Sequence, residues 1–352
     1  MPALEHLRIE ETHTLDEVYA FLTRNGFTDG LPVIPPTPRR VDAMLAGRNP
    51  DEVVAVVVPA RGAATVRSLA QCAVMAGCLP EHLPVLIAAT QAVTDPAFNL
   101  LGVQTTTGNT AVLLLLNGPV VPRLRFNAGG NALGPGCHAN ATVGRALSLM
   151  LRNVGGALPG KTDMATQGQP AKYTCCCAEN EPANPWGPLS VARGFPAGTS
   201  TVTVFAISGL VEVVDSGSPD AAGVLTTLAH SMTIAGTVGG AGTLGSGEPL
   251  VLLAPEHAAR VGLQMTRAEA QRFLWQHARL SISRLAPQAQ ERARVPRSEQ
   301  AGSAAPTPSD ELPVAHRPED IQIAVVGGVG QKSTYVPTWG GGTRAITHAI
   351  DD

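Results

Sequence analysis

The chain has 352 residues, 44% of them apolar and only 15% charged, with a net charge of −3. That composition supports one large domain or two ordinary ones, with a buried core and a thinly charged surface that favours oligomers. It argues against a general nucleic-acid or membrane-surface binder, and 4% aromatic residues are too few for a single-strand stacking platform.

The N-terminal stretch has neither the basic start nor the apolar run of a signal peptide. No apolar stretch reaches the roughly 18 residues of a membrane helix. A cytoplasmic chain is therefore expected, with its thiols reduced. Residues 15–25 read as a short amphipathic helix capped by Thr14 or Asp16. The proline-rich run Asp29-Gly30-Leu31-Pro32-Val33-Ile34-Pro35-Pro36-Thr37-Pro38 forbids helix and central strand, and it reads as a rigid segment draped over a site or a partner. A short helix over 39–46 completes an N-terminal arm, residues 1–50.

Short apolar runs follow, each ending in turn-forming residues: Val53–Val58, Val112–Leu116, Val202–Ile207, Leu250–Leu253 and Ile321–Val326. Such runs, without alternation, suit strands buried on both faces. Helical patterns lie between them, at 64–77, 80–94, 140–154, 219–232, 256–262 and 266–285. The alternation predicts an α/β fold, a mostly parallel or mixed sheet flanked by helices, with Gly-rich loops at the strand ends. Ligands of such folds meet the carboxyl ends of the strands. The 140–154 helix has Asn140 as its expected cap and one apolar stripe, from which Arg145 and Arg152 fall away. Residues 287–318 are rich in Gln, Arg, Ser, Ala and Pro and read as a flexible insertion. The α/β domain is thus expected over 51–286 and 319–352.

The chemistry is expected at Cys175-Cys176-Cys177, which holds half of the six cysteines. A thiolate is a strong nucleophile and a soft metal ligand. Extended, the run points Cys175 and Cys177 one way and Cys176 the other. Glu179 follows, a carboxylate suited to acid–base work. Lys172 precedes it, one of only three lysines with Lys161 and Lys332. The proline-ordered loop Pro182-Ala183-Asn184-Pro185-Trp186 follows, and Trp186 reads as a pocket floor or a packing residue. The alternative is that some of these cysteines are small buried core residues.

A second centre is Gly134-Pro135-Gly136-Cys137-His138-Ala139-Asn140, a glycine turn feeding a helix start. Cys137 and His138 could pair as nucleophile and base. With Cys175 and Cys177 they could instead hold Cu, Zn or Fe, although the spacing matches no standard zinc motif. Asn127–Asn131 reads as an anion loop or a plain turn. Gly240–Gly245 fits G-x-G-x-x-G but precedes a strand, so the dinucleotide context fails. Gly328–Ser333 is a broken P-loop, whose Lys332 and Ser333 could hold an anionic substrate at a strand end. His257 is a candidate base or a structural histidine.

Several stretches together resemble a bacterial family associated with UGSC-motif (seleno)proteins. They are Asp29–Val33 with Pro35–Thr37, Ala139–Thr142 with Gly144–Ala146, Asn153–Ala157, Ala178–Glu181 with Pro185-Trp186, and Pro255–Ala258. The resemblance implies thiol or selenol chemistry, one key cysteine at the position of Cys176, and a redox-active or thiol-linked partner subunit. Cys175, Cys177 and the Cys137-His138 pair depart from the pattern.

The expectation is a cytoplasmic, oligomeric thiol enzyme acting on a small molecule by carbon–sulfur, carbon–nitrogen or redox chemistry. In it Cys176 is the nucleophile, Lys172 favours its thiolate, Glu179 shuttles protons, and Asn140, Asn180, Trp186, Lys332 and Ser333 hold the substrate. A soft-metal thiolate enzyme and a non-catalytic subunit of a hetero-oligomer are the alternatives.

Overall fold

The computed structural model describes residues 9–234, 236, 247–294 and 311–351. Helices α1 (Leu15–Arg24) and α2 (Pro38–Leu45) lead into a hairpin of β1 (Val53–Val57) and β2 (Gly62–Thr65). Helices α3 (Val66–Ala76), α4 (Leu83–Thr94) and α5 (Leu100–Thr105) precede strand β3 (Ala111–Asn117). Next come α6 (Val120–Arg123), α7 (His138–Asn153), β4 (Cys176–Ala178), α8 (Leu189–Ala192), β5 (Thr201–Ile207) and β6 (Val211–Val214). Helix α9 (Ala221–Ser231) is followed by β7 (Leu250–Leu253), α10 (Pro255–Gly262), α11 (Arg267–His277) and β8 (Arg279–Ser281). The chain closes with α12 (Pro287–Arg294), β9 (Glu311–Pro313), β10 (Gln322–Val325), β11 (Lys332–Val336) and β12 (Ile346–Ala349).

The helix starts follow local chemistry. Thr14 and Glu17 form a reciprocal capping box at α1, as do Thr266 and Glu269 at α11. Thr65 and Asp220 accept from backbone N–H groups at α3 and α9. Gly77, at φ +90°, ends α3 in the left-handed region that glycine adopts freely.

The chain divides into two compact units. The first holds residues 1–179, 190–206 and 344–352; the second holds 180–189 and 207–343. The N-terminal segment, expected as an arm, groups with the first unit. In that unit the sheet order is β12-β5-β3-β4, with β3 parallel to β4 and β12 antiparallel to β5. Every residue of β5 and nearly every one of β3 is buried, as expected for strands covered on both faces. Helix α7 packs on β4, and Gly144 allows the close approach: a Cβ there would stand 2.5 Å from Thr174 Oγ1 and 3.0 Å from the Cys175 nitrogen. In the second unit the order is β10-β7-β11-β6, with β10 parallel to β7 and β11 antiparallel to both its neighbours. Helices α9, α10 and α11 bury their apolar faces in the same core as Val251, Ile323 and Tyr335.

The fold is α/β with mixed sheets, as expected. The helix expected over 266–285 stops at His277, where Ala278 leaves helical geometry and β8 begins. The stretch expected to be a flexible insertion opens as helix α12 and ends in β9, which pairs antiparallel with β8. Main-chain pairing orders that end in spite of its polar composition. Residues 295–310 and the glycine motif at 240–245 lie outside the described residues. Among the described residues no helix is long and apolar enough to cross a membrane.

Candidate functional site

Parallel pairing of β3 with β4 places Leu114 opposite Cys176, Leu115 opposite Cys177 and Leu116 opposite Ala178. The ladder runs one step further, because the Glu179 N–H donates to Leu116 O at 2.9 Å. Glu179 and Asn117 thus meet at the carboxyl ends of two parallel strands, where Asn117 Nδ2 donates to Glu179 Oε2 at 2.6 Å, fully buried.

Strand parity then corrects the expected pairing. Side chains alternate across a strand, so Cys177 and Glu179 share one face while Cys176 takes the other. The Cys176 side chain faces α7, 3.2 Å from where a Cβ on Gly144 would sit. Cys176 and Glu179 therefore leave the strand on opposite faces. All three thiols are buried and free. Burial pushes Cys175 up to about 12 and holds Cys176 and Cys177 well above the ordinary thiol value. For Cys177 the neighbouring Cys175 and the Glu179 charge add to the effect. At neutral pH these are protonated core thiols.

Lys172 does not serve them. Its Nζ lies 2.6 Å from Asp163 Oδ2, with both side chains half-buried or better. The turn 158–163 presents Asp163, tied by the Gly160 N–H to Asp163 O and by Thr162 Oγ1. A short 3-10 turn, Pro170–Lys172, presents Lys172. The connecting loop is pinned by Thr166 to Thr107 O and by the Gly168 N–H to Asn109 Oδ1.

The metal set does not assemble. Among the described residues no three His, Cys, Asp or Glu side chains gather to hold a metal ion. Cys137 is the N-cap of α7 and is half-exposed, with its Sγ near Arg125 O and Asn140 Oδ1. His138 is exposed, its ring 5.8 Å from that of His82. Asn140, expected as the helix cap and a substrate ligand, lies inside the first turn and is buried. Its Oδ1 accepts from Asn127 N–H, and its Nδ2 donates to Asn127 O and Ala132 O. It braces the loop ahead of α7. In that loop Asn127 bonds its own turn, so the expected anion loop spends its groups internally.

Asn180, Trp186, Lys332 and Ser333 belong to the second unit. Asn180 donates to Val325 O and Gly327 O. Trp186 packs against the unit core and donates from Nε1 to Met265 O at 2.8 Å. Lys332 and Ser333 fall on opposite faces of β11, the first exposed and the second buried. Ser333 Oγ lies 2.7 Å from His257 Nδ1 and accepts from the Ala254 N–H. His257 Nε2 meets Asp215 O at 2.8 Å, so this nitrogen carries the ring proton. His257 is a satisfied core histidine.

What the first unit does offer is a cavity of about 570 Å³. Lys172, Asp163, Asp29 and Arg152 are its charged wall residues. Arg145 holds Asp29 in a two-point ion pair, with both contacts at 2.8 Å, and also donates to Pro32 O. The pair outweighs burial and keeps the Asp29 carboxyl below its usual range. Arg145, Ser148 and Arg152 follow the i, i+3, i+7 spacing of one helix face. The proline-rich segment is thus fastened to α7 and contributes Asp29 to the cavity. Sequence reasoning missed Asp163, Gln104 and Thr110 as wall residues, and it saw Arg152 only as off the apolar stripe. Their assembly depends on turns that leave no periodic signal.

No protein-family model, curated protein or solved structure matches the chain.

Proposed function

We propose that the chain is an enzyme of lyase type that acts on a small molecule in the cavity of the first unit. The observation that carries this is the Lys172–Asp163 contact of 2.6 Å on the wall of a 570 Å³ cavity. Pockets of this size suit small substrates, and a paired acid and base is what elimination needs. Asp163 takes a proton from a substrate carbon. Lys172 gives one to the leaving group, the carbon–heteroatom bond breaks, and a double bond forms. The proton on Asp163 then passes to Lys172 along their hydrogen bond, which restores both groups.

The thiol reading is the second proposal. Glu179, buried beside Cys177 at the strand ends, supports it, as does the likeness to the UGSC-associated family, which also suggests a partner subunit. The two readings separate when wild type is given a mixed small-molecule extract and consumed compounds are followed by mass spectrometry. Lys172→Ala and Asp163→Asn should abolish the conversion, while Cys176→Ser and Cys177→Ser should leave it. Conversion that survives Lys172→Ala but not the serine variants would move the chemistry to the thiols.

A further inference from the structure

The charges around the cavity do not all cancel. Asp29 is neutralised by Arg145, and Asp163 by Lys172. Arg152 forms no ion pair among the described residues. Its Nε donates to Gly26 O at 3.1 Å, and neither terminal nitrogen has a protein partner or is sealed away. A guanidinium held by one edge, with its outer edge open, presents the two parallel N–H groups that match a carboxylate. Burial draws the Arg152 pKa below the ordinary guanidinium value, with Asp29 opposing, so an added anion would be favoured there.

Gln104 and Thr110 line the same cavity and are each more than nine-tenths buried. Gln104 Oε1 and Thr110 Oγ1 have no hydrogen-bond partner. Both atoms are sealed from solvent, so they shape the wall without offering a hydrogen bond to an occupant. The rest of the wall is largely apolar, including Val103, Ala111, Val112, Leu151, Ala157 and Ala165.

We propose that the cavity takes a carboxylate with an apolar body, and that Arg152 grips the carboxylate. Resting on the cavity reading above, this names the substrate class.

The test uses the full chain with hexanoate and phenylacetate, each against its primary amide. Binding is followed by methyl chemical shifts of Val103, Val112 and Leu151. The carboxylates should bind roughly 10–100-fold more tightly than the amides, the range for a charge-assisted contact. Arg152→Gln should remove that preference, and Arg152→Lys should keep part of it. Amides that bind as well as the acids overturn the Arg152 assignment and leave the cavity as a site. If no probe moves these methyls, the cavity itself is not the site and both proposals fall. The wild-type comparison stands even where a variant fails to fold.

Discussion

Alkylation of the six cysteines by iodoacetamide separates core thiols from reactive ones. Cys175 is pushed up to about 12 by burial. At pH 7 that leaves about 1 in 10⁵ as thiolate, against about 3% for a thiol with an ordinary pKa near 8.5. Ionisation alone therefore slows Cys175 by a factor of roughly 10³ in the native protein relative to the guanidinium-unfolded chain. Restricted access of reagent slows it further. Cys176 and Cys177, held still higher, should be at least as slow. Cys72 and Cys78 belong with them, Cys78 being pushed to about 12 in the same way. Cys137, half-exposed at the start of α7, should be the first to react. The assay is time-resolved peptide mass spectrometry on native and unfolded protein at pH 7. Rapid labelling of Cys176 in the native protein, ahead of Cys137, would refute the burial argument and revive a Cys176 nucleophile.

Gly144→Ala tests the fit of α7 on β4. In an exposed helix the change would stabilise by about 1 kcal/mol, but here the added carbon displaces Thr174 Oγ1 from Ala141 O, so a net loss of about 1–3 kcal/mol is expected. Thermal unfolding should read this as a lowered Tm, relieved in part by Thr174→Ala; an unchanged or raised Tm would show that the contact is slack. His82 supplies a pH dependence: burial first, and then His138, lower its pKa to about 4, while its Nδ1 accepts from the Leu79 N–H. Because the unfolded imidazole titrates near 6.5, the stability contributed is full above that value. It is lost as pH falls toward 4, by up to about 3 kcal/mol. His82→Asn should flatten this part of the Tm–pH curve, and an equally steep curve in the variant would remove His82 as the cause.

The strands were legible because the runs at 112–116, 202–207 and 250–253 are apolar without alternation, a pattern that belongs to strands covered on both faces. The start of α1 was legible because Thr14 caps it through a bond that reaches three residues, and that of α10 because Pro255 has the fixed φ of a first helical turn. The strands at 211–214 and 332–336 were not: exposed Lys332 and partly exposed β6 give no apolar run, and they become strands by pairing, β6 with β11 and β11 with both β6 and β7. The site shows the same division. The alternation of Cys175, Cys176 and Cys177 follows from the chain, and with it the separation of Cys176 from Glu179. What those thiols are buried against does not, since their pKa values come from helix α7 and from a sheet built of distant segments. Lys172 stood out by its rarity, yet its partner Asp163 lies nine residues earlier, across a turn and a pinned loop. Arg152 was visibly off the apolar stripe of its helix, but only the packed wall of Gln104, Thr110 and the Asp29 segment turns that face into a cavity. Local bonds write themselves into sequence; a concave surface assembled from five segments does not, because no segment carries the shape of the others.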